Sequence, residues 1–161
     1  MKKLGLIVMG GSSGGLDAIM KICKELKSDF EIPIIIVLHQ RRDTNISLVP
    51  LLQTKTKMKV REPDDKEQLL KGHIYIAPPD YHLMLEKDGT FGYNSDDLVN
   101  YSRPSIDVLF ESVAENLGSN IAGVLLTGAN ADGANGMKKI KNGGGVTIAQ
   151  NPTTADYPTM P

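Results

Sequence analysis

Three separated stretches of the chain carry side chains that could act together on a carbonyl. Gly10-Gly11-Ser12-Ser13-Gly14 has the form G-x-S-x-G, which on a strand-to-helix turn lifts a serine hydroxyl above a sheet. His39 follows the apolar run "IIIVL", and Asp132 stands between Ala131 and Gly133 in the loop "GANADGANG". A serine hydroxyl attacks only once a base takes its proton, and imidazole suits that task near neutral pH. An acid must then hold the ring in one tautomer and stabilise the imidazolium. Ser12 as nucleophile, His39 as base and Asp132 as orienting acid would meet these needs. Each also has a plainer reading: a structural glycine turn, a strand-end cap, and a helix N-cap.

The run "GGSSGG" (10–15) could instead admit a phosphate to a helix N-terminus. The dinucleotide fingerprint needs glycine where Ser12 stands, and an acid near the end of the next strand, where the chain has His39. No Gly-Lys-Ser/Thr closes the run, so it is not a P-loop either. A nonspecific anion site stays open, because any helix N-terminus offers free N–H groups. His73 and His82 fall on a strand and a hairpin and read as structural. The single cysteine, Cys23, lies in a helical pattern and reads as a small core residue. No histidine spacing suggests a metal, and no cofactor is expected.

The elements that must position these residues follow from the apolar patterning. "LGLIVM" and "IPIIIVL" are near-continuous apolar runs, as in strands buried on both faces of a parallel sheet. Between them Leu16, Ile19, Met20 and Cys23 recur at helical spacing, which makes a βαβ unit. A weaker helix around "ISLVPLLQ" holds Pro50 in its first turn or is kinked by it. "HIYIAPP" reads as a strand and "YHLMLEKDGTFGYN" as a hairpin turning at Asp88-Gly89. "SRPSIDVLFESVAENLG" reads as a helix with Pro104 at its first position, Ile106, Phe110, Val113 and Leu117 on one face, and Gly118 as its stop. "IAGVLLT" is a further strand, followed by a helix "MKKIKN" and a strand "GVTIAQ". The fold class is therefore α/β: a three-layer, doubly wound, mainly parallel sheet with an inserted antiparallel β-hairpin. The loops "GGSSGG", "HQRRD" and "GANADG" should open on one sheet edge, where such sheets bind ligands.

With 161 residues, 40% hydrophobic and 23% charged, the chain suits a single globular domain. A net charge of −1 gives no general attraction to nucleic acid. The basic stretch "KTKMKVR" (55–61) reads as a solvated strand edge. "IPIIIVL" is too short to span a bilayer, and one cysteine excludes an intrachain disulfide. A cytoplasmic setting without direct membrane insertion is expected.

These segments resemble the catalytic domain of chemotaxis protein-glutamate methylesterases, the CheB type, over nearly the whole chain. "MGGSSGGLDAI", "IIIVLHQ", "GHIYIAPPDYHLML", "SRPSIDVLFESVA", "GVLLTGANADGANGM" and "TIAQNPTTADYPTMP" carry the likeness in order. The resemblance implies hydrolysis of glutamate γ-methyl esters on chemoreceptors with release of methanol, and deamidation of some receptor glutamines. It places Ser12, His39 and Asp132 in the nucleophile, base and acid positions, in an order unlike that of the α/β-hydrolases. The implied partners are methylated chemoreceptors, and a receiver or methyltransferase domain on another chain or in a longer polypeptide. The reading covers a single catalytic domain, residues 1–161, without the family's N-terminal receiver domain and ending where its pattern continues into a further helix and tail. Ala129 stands where the family commonly has methionine, beside the oxyanion hole. Arg103 fits either an acidic receptor segment or an ordinary helix-start charge. Two other functions suit the same residues: a noncatalytic docking module, and a hydrolase of small-molecule esters.

Overall fold

The computed structural model describes residues 4–40 and 46–161. The end of the expected "HQRRD" loop, from residue 41 on, lies outside them. Six strands form one parallel sheet: β1 (Leu6–Gly11), β2 (Ile34–Leu38), β3 (Lys59–Arg61), β4 (His73–Ile76), β7 (Ile121–Leu125) and β8 (Val146–Ala149), in the order β3-β4-β2-β1-β7-β8. All their pairings are parallel. The antiparallel hairpin β5 (His82–Leu85) and β6 (Phe91–Asn94) stands apart from this sheet.

The apolar runs become strands because helices cover both faces. All five residues of β2 and of β7 are buried, so neither strand needs alternation. On one face, α1 (Gly15–Glu25) and α2 (Leu48–Gln53) pack Ile19, Cys23, Leu48 and Leu52 against Met9, Ile34, Ile36 and Ile74. On the other, α3 (Ile106–Leu117), α4 (Ala134–Asn142) and the hairpin bury Phe110, Val113, Ile140, Leu83 and Phe91 against Val8, Ile35, Val37 and Tyr75. Cys23 belongs to the first of these layers, where burial pushes its thiol up to about 11. It is a core residue, as expected.

The edges read as the sequence implies. β3 lies at one edge, with Lys55, Lys57 and Lys59 exposed and Arg61 paired with Asp64 and Glu67. The hairpin turns through Gly89 at φ +81°, and Pro50 is the third residue of α2, behind the Ser47 cap. Two helix starts differ from expectation. Pro104 does not open α3: it follows a cis peptide bond and precedes Ser105, whose side chain accepts the Val108 N–H and so caps the helix. Helix α4 begins at Ala134, before "MKKIKN", with Gly133 as its N-cap at φ +98°.

Candidate active site

The chain winds outward from β1 through β2, then crosses back to place β7 on the other flank of β1. Crevices that bind ligands lie at such reversals, outside the carboxyl ends of the strands. Ser12 is the first residue past β1 and His39 the first past β2. The backbone joins them closely: His39 N–H donates to Gly11 O at 3.1 Å, and Ser12 N–H donates to Thr127 O at 2.9 Å. Ser12 is thus held between the ends of β2 and β7.

The glycine run serves this turn. Gly14, the N-cap of α1, has φ +78°, a conformation that suits glycine, and its neighbour Ser13 is exposed. Gly15 N–H closes the turn on Ser12 O at 2.7 Å. Across the crevice, Gly128 leaves room for Ser12: a Cβ built there would stand 2.9 Å from Ser12 Cβ and 2.6 Å from Met160 Sδ. Met160 belongs to the C-terminal segment, which is pinned beside β7 by Gly128 N–H to Tyr157 O and Met160 N–H to Gly128 O, both at 3.0 Å. Thr127 Oγ1 reinforces that join by accepting the Tyr157 N–H at 2.8 Å.

His39 and Asp132 meet directly, with Nε2 2.7 Å from Oδ2. The other ring nitrogen, Nδ1, lies 3.4 Å from the Asn130 side-chain nitrogen. Both contacts are satisfied by one tautomer: Nε2–H donates to the carboxylate, and the Nδ1 lone pair accepts from the Asn130 amide. In that tautomer Nδ1 carries the basic lone pair of the ring. This is the reverse of the serine protease template, in which the acid holds Nδ1 and Nε2 serves the serine.

Asp132 is fully buried, so its charge must be met by donors. Oδ2 also accepts the Ile106 N–H at 2.7 Å. Oδ1 accepts from Asn100 Nδ2 at 2.8 Å, Ser105 Oγ at 2.9 Å and Asp107 N–H at 3.0 Å. Burial acts to raise the carboxyl's pKa. Bonds from His39, Asp107 N–H, Asn100 and Ile106 N–H outweigh it and hold the group below its usual value. The plainer reading of Asp132 as a cap is half right, but on another helix. It sits at the N-terminus of α3, where the helix dipole favours an anion, while Gly133 caps α4.

Four side chains of this network went unnoticed in the sequence: Asn100, Ser105, Asp107 and Asn130. Ser105 carried a cap signal in "RPSID", and Asn130 lies two residues before Asp132, whose N–H it accepts at 3.0 Å. Nothing local marked Asn100. His82 is structural, as expected: it is buried, with Nδ1 accepting the Ser105 N–H at 3.1 Å and Nε2 on Asp97 O at 2.9 Å. His73 Nδ1 bonds Lys71 O at 2.8 Å. Arg103 Nη1 donates to Ser95 O and Asp96 O, each at 3.0 Å, and so ties down the segment after β6.

Residues 7–161 match the CheB methylesterase family. The chain belongs to that family. Similar proteins include the crystal structure of the Thermotoga maritima CheB methylesterase catalytic domain, which superposes with a TM-score of 0.91 at 33% identity over 98% of this chain and 85% of that one. A Leptospira interrogans protein is 45% identical over 155 residues, 96% of this chain and 80% of its own length, and its name couples methylesterase with glutaminase. The protein-glutamate methylesterase/protein-glutamine glutaminase 1 of Carboxydothermus hydrogenoformans is 40% identical over 161 residues. The corresponding enzyme of Hydrogenovibrio crunogenus is 37% identical over 160. Each of these two alignments covers 97% of this chain, which spans 47% and 42% of the respective relative. The six-stranded parallel sheet and separate hairpin of this chain match the CheB catalytic-domain fold.

Proposed function

We propose that this member of the CheB methylesterase family is a serine hydrolase acting on glutamate γ-methyl esters of chemoreceptor proteins, and on certain receptor glutamines. The observation that carries the reading is the 2.7 Å contact between His39 Nε2 and buried Asp132, at the sheet edge where the G-x-S-x-G turn presents Ser12. Ser12 Oγ attacks the ester carbonyl while His39 Nδ1 takes its proton. Asp132 holds the ring and stabilises the imidazolium. The collapsing tetrahedral intermediate expels methoxide, which receives that proton and leaves as methanol. Water, activated by the same nitrogen, then hydrolyses the glutamyl-serine ester and frees the glutamate. With a glutamine side chain the leaving group is ammonia.

The site reads its substrate in the cytoplasm, where the receptor's methylated helices would be presented. Among the described residues, no helix is long and apolar enough to cross a membrane. The deciding experiment is methanol release from a methylated receptor fragment, run beside labelling of Ser12 by a serine-directed phosphonate. Release together with labelling supports the reading. Labelling without release would point to a small-molecule ester, and neither would point to a docking module.

A further inference from the structure

Asp132 has a buried neighbour of like charge. Asp107, on the first turn of α3, is 4% exposed and Asp132 not at all. One nitrogen lies between them: Asn100 Nδ2 is 2.8 Å from Asp107 Oδ2 and 2.8 Å from Asp132 Oδ1. Asp107 is itself anchored to α4, its Oδ1 accepting the Gly136 N–H at 2.7 Å. Two carboxylates so placed repel each other. A side-chain amide carries two N–H donors and can serve both at once, whereas a hydroxyl has one hydrogen and a carboxylate none.

Asn100 stands at the tip of a tight turn. Val99 and Ser102 exchange both backbone hydrogen bonds, at 3.1 and 3.0 Å, around Asn100 and Tyr101 at φ +52° and +64°. Two left-handed residues make the hairpin turn that favours asparagine, aspartate and glycine. The backbone therefore accounts for a residue of that group, but not for an amide spanning two carboxylates. Both turn residues are exposed, Tyr101 at 96%, but the Asn100 side-chain amide reaches the two buried carboxylates.

We infer that Asn100 is a positioning residue for the esterase: by bridging Asp107 and Asp132 with one amide, it keeps the Asp132 carboxylate ionised and set where His39 Nε2 meets it. The inference rests on the Ser12, His39 and Asp132 reading above, and Asn100 acts through Asp132.

Asn100→Gly and Asn100→Asp both suit the positive φ, so a residue serving only the turn would tolerate either. Glycine removes the donor, and aspartate replaces it with a third carboxylate of nearly the same shape. Both should slow phosphonate labelling of Ser12 and kcat for a methyl ester by about 10- to 100-fold, the value of a hydrogen bond to a charged group. KM should stay within about twofold, since Asn100 does not act on bound substrate. In an Asp132→Ala background, Asn100→Gly should cost less than about twofold, because nothing remains for it to position. Melting temperatures identify a variant that fails to fold, and the isosteric aspartate then carries the test. Wild-type rates in both folded variants, or the same loss with and without Asp132, would overturn the role of Asn100 alone. A wild-type protein that the phosphonate never labels would overturn the esterase reading and this role with it.

Discussion

His39 Nε2 and the Ile106 N–H converge on the same oxygen, Asp132 Oδ2, each at 2.7 Å. The His39 ring is thereby tied, through one carboxylate, to the first turn of α3. His39 and Asp132 are 93 positions apart in the chain, and their orientation is decided by a helix that contains neither. The site should therefore respond both to loss of its reacting groups and to loosening of that helix start.

Ser12→Ala and His39→Ala should each lower turnover by about 10⁴- to 10⁶-fold, with the double variant no worse than either, since groups acting as a unit lose nearly everything at the first deletion. Ser13→Ala should be mild. Its side chain is exposed, and the contact by which it joins the network, from Thr127 Oγ1 at 3.0 Å, is made to its backbone carbonyl. Steady-state methanol release checks all four proteins, and an inactive Ser13→Ala would mean that the motif is read one residue out of register.

Asp132→Asn should cost about 10²- to 10⁴-fold in turnover, as the charge that selects the histidine tautomer is lost. It should also destabilise the fold. Both carboxylate oxygens accept backbone N–H groups, at Ile106 and at Asp107, so the new amide must turn its NH₂ toward a donor. A buried donor left unpaired costs about 1–3 kcal/mol. Urea unfolding alongside the kinetic assay separates the two losses.

The two buried carboxylates should pull stability in opposite directions with pH. Hydrogen bonds hold the Asp132 carboxyl below its ordinary value despite burial. Its contribution is present above the unfolded carboxylate value, about 3.9, and is lost as pH falls through its lower folded value. Burial holds Asp107 above its ordinary value, against bonds from Gly136 and Asn100 and with help from the neighbouring Asp132 charge. Its ionisation therefore costs stability as pH rises from about 3.9 through its raised folded value. Denaturant titrations from acid to neutral pH on the wild type, Asp132→Asn and Asp107→Asn check the signs. Asp132→Asn should flatten the acid side of the stability profile and Asp107→Asn the side above it.

Gly128→Ala should reduce turnover about 10- to 100-fold with a smaller effect on melting temperature. The new Cβ meets Met160 Sδ and Cε at 2.6 Å and Ser12 Cβ at 2.9 Å. Met160 can swing aside, but Ser12 is fixed by its backbone, and a small displacement of a reacting atom is expensive. Wild-type turnover in a folded Gly128→Ala protein would show that Ser12 does not need that clearance.

Ala129 tests where the oxyanion is held. The Gly128 N–H is already bonded to Tyr157 O at 3.0 Å, so the next amide along the loop is the candidate donor. Ala129→Met keeps that N–H and should change turnover by less than about tenfold. Ala129→Pro removes it and should cost about 10²- to 10³-fold, the effect of losing one oxyanion donor. Full turnover in a folded Ala129→Pro protein would move the hole to other amides, with Ser13 at the start of α1 the first to test.

The sequence by itself determined the layers and named the candidate reacting groups. Runs such as "IIIVL" and "IAGVL" are apolar at every position because both faces of their strands are covered, and that local pattern announces a parallel sheet. Parallel strands all end on one edge, so Ser12 and His39 were bound to be neighbours once β1 and β2 paired. The acid was different. "GANADG" satisfies a cap rule equally well whether or not its aspartate touches histidine, and its nearest helix in sequence was the wrong one. Only the packing of α3 against α4 brings the Ile106 and Asp107 amides to Asp132 and so decides what that carboxylate does. The tertiary structure likewise set the ring so that Nε2 meets the carboxylate and Nδ1 keeps the lone pair, since ring orientation depends on partners 91 and 93 residues away. Asn100 had a sufficient local explanation as a turn residue, and the two carboxylates it bridges come from α3 and from the loop before α4. Local pattern encodes which face is buried, whereas the pairing of polar groups is a property of the assembled core, where an unmet charge is too costly to leave.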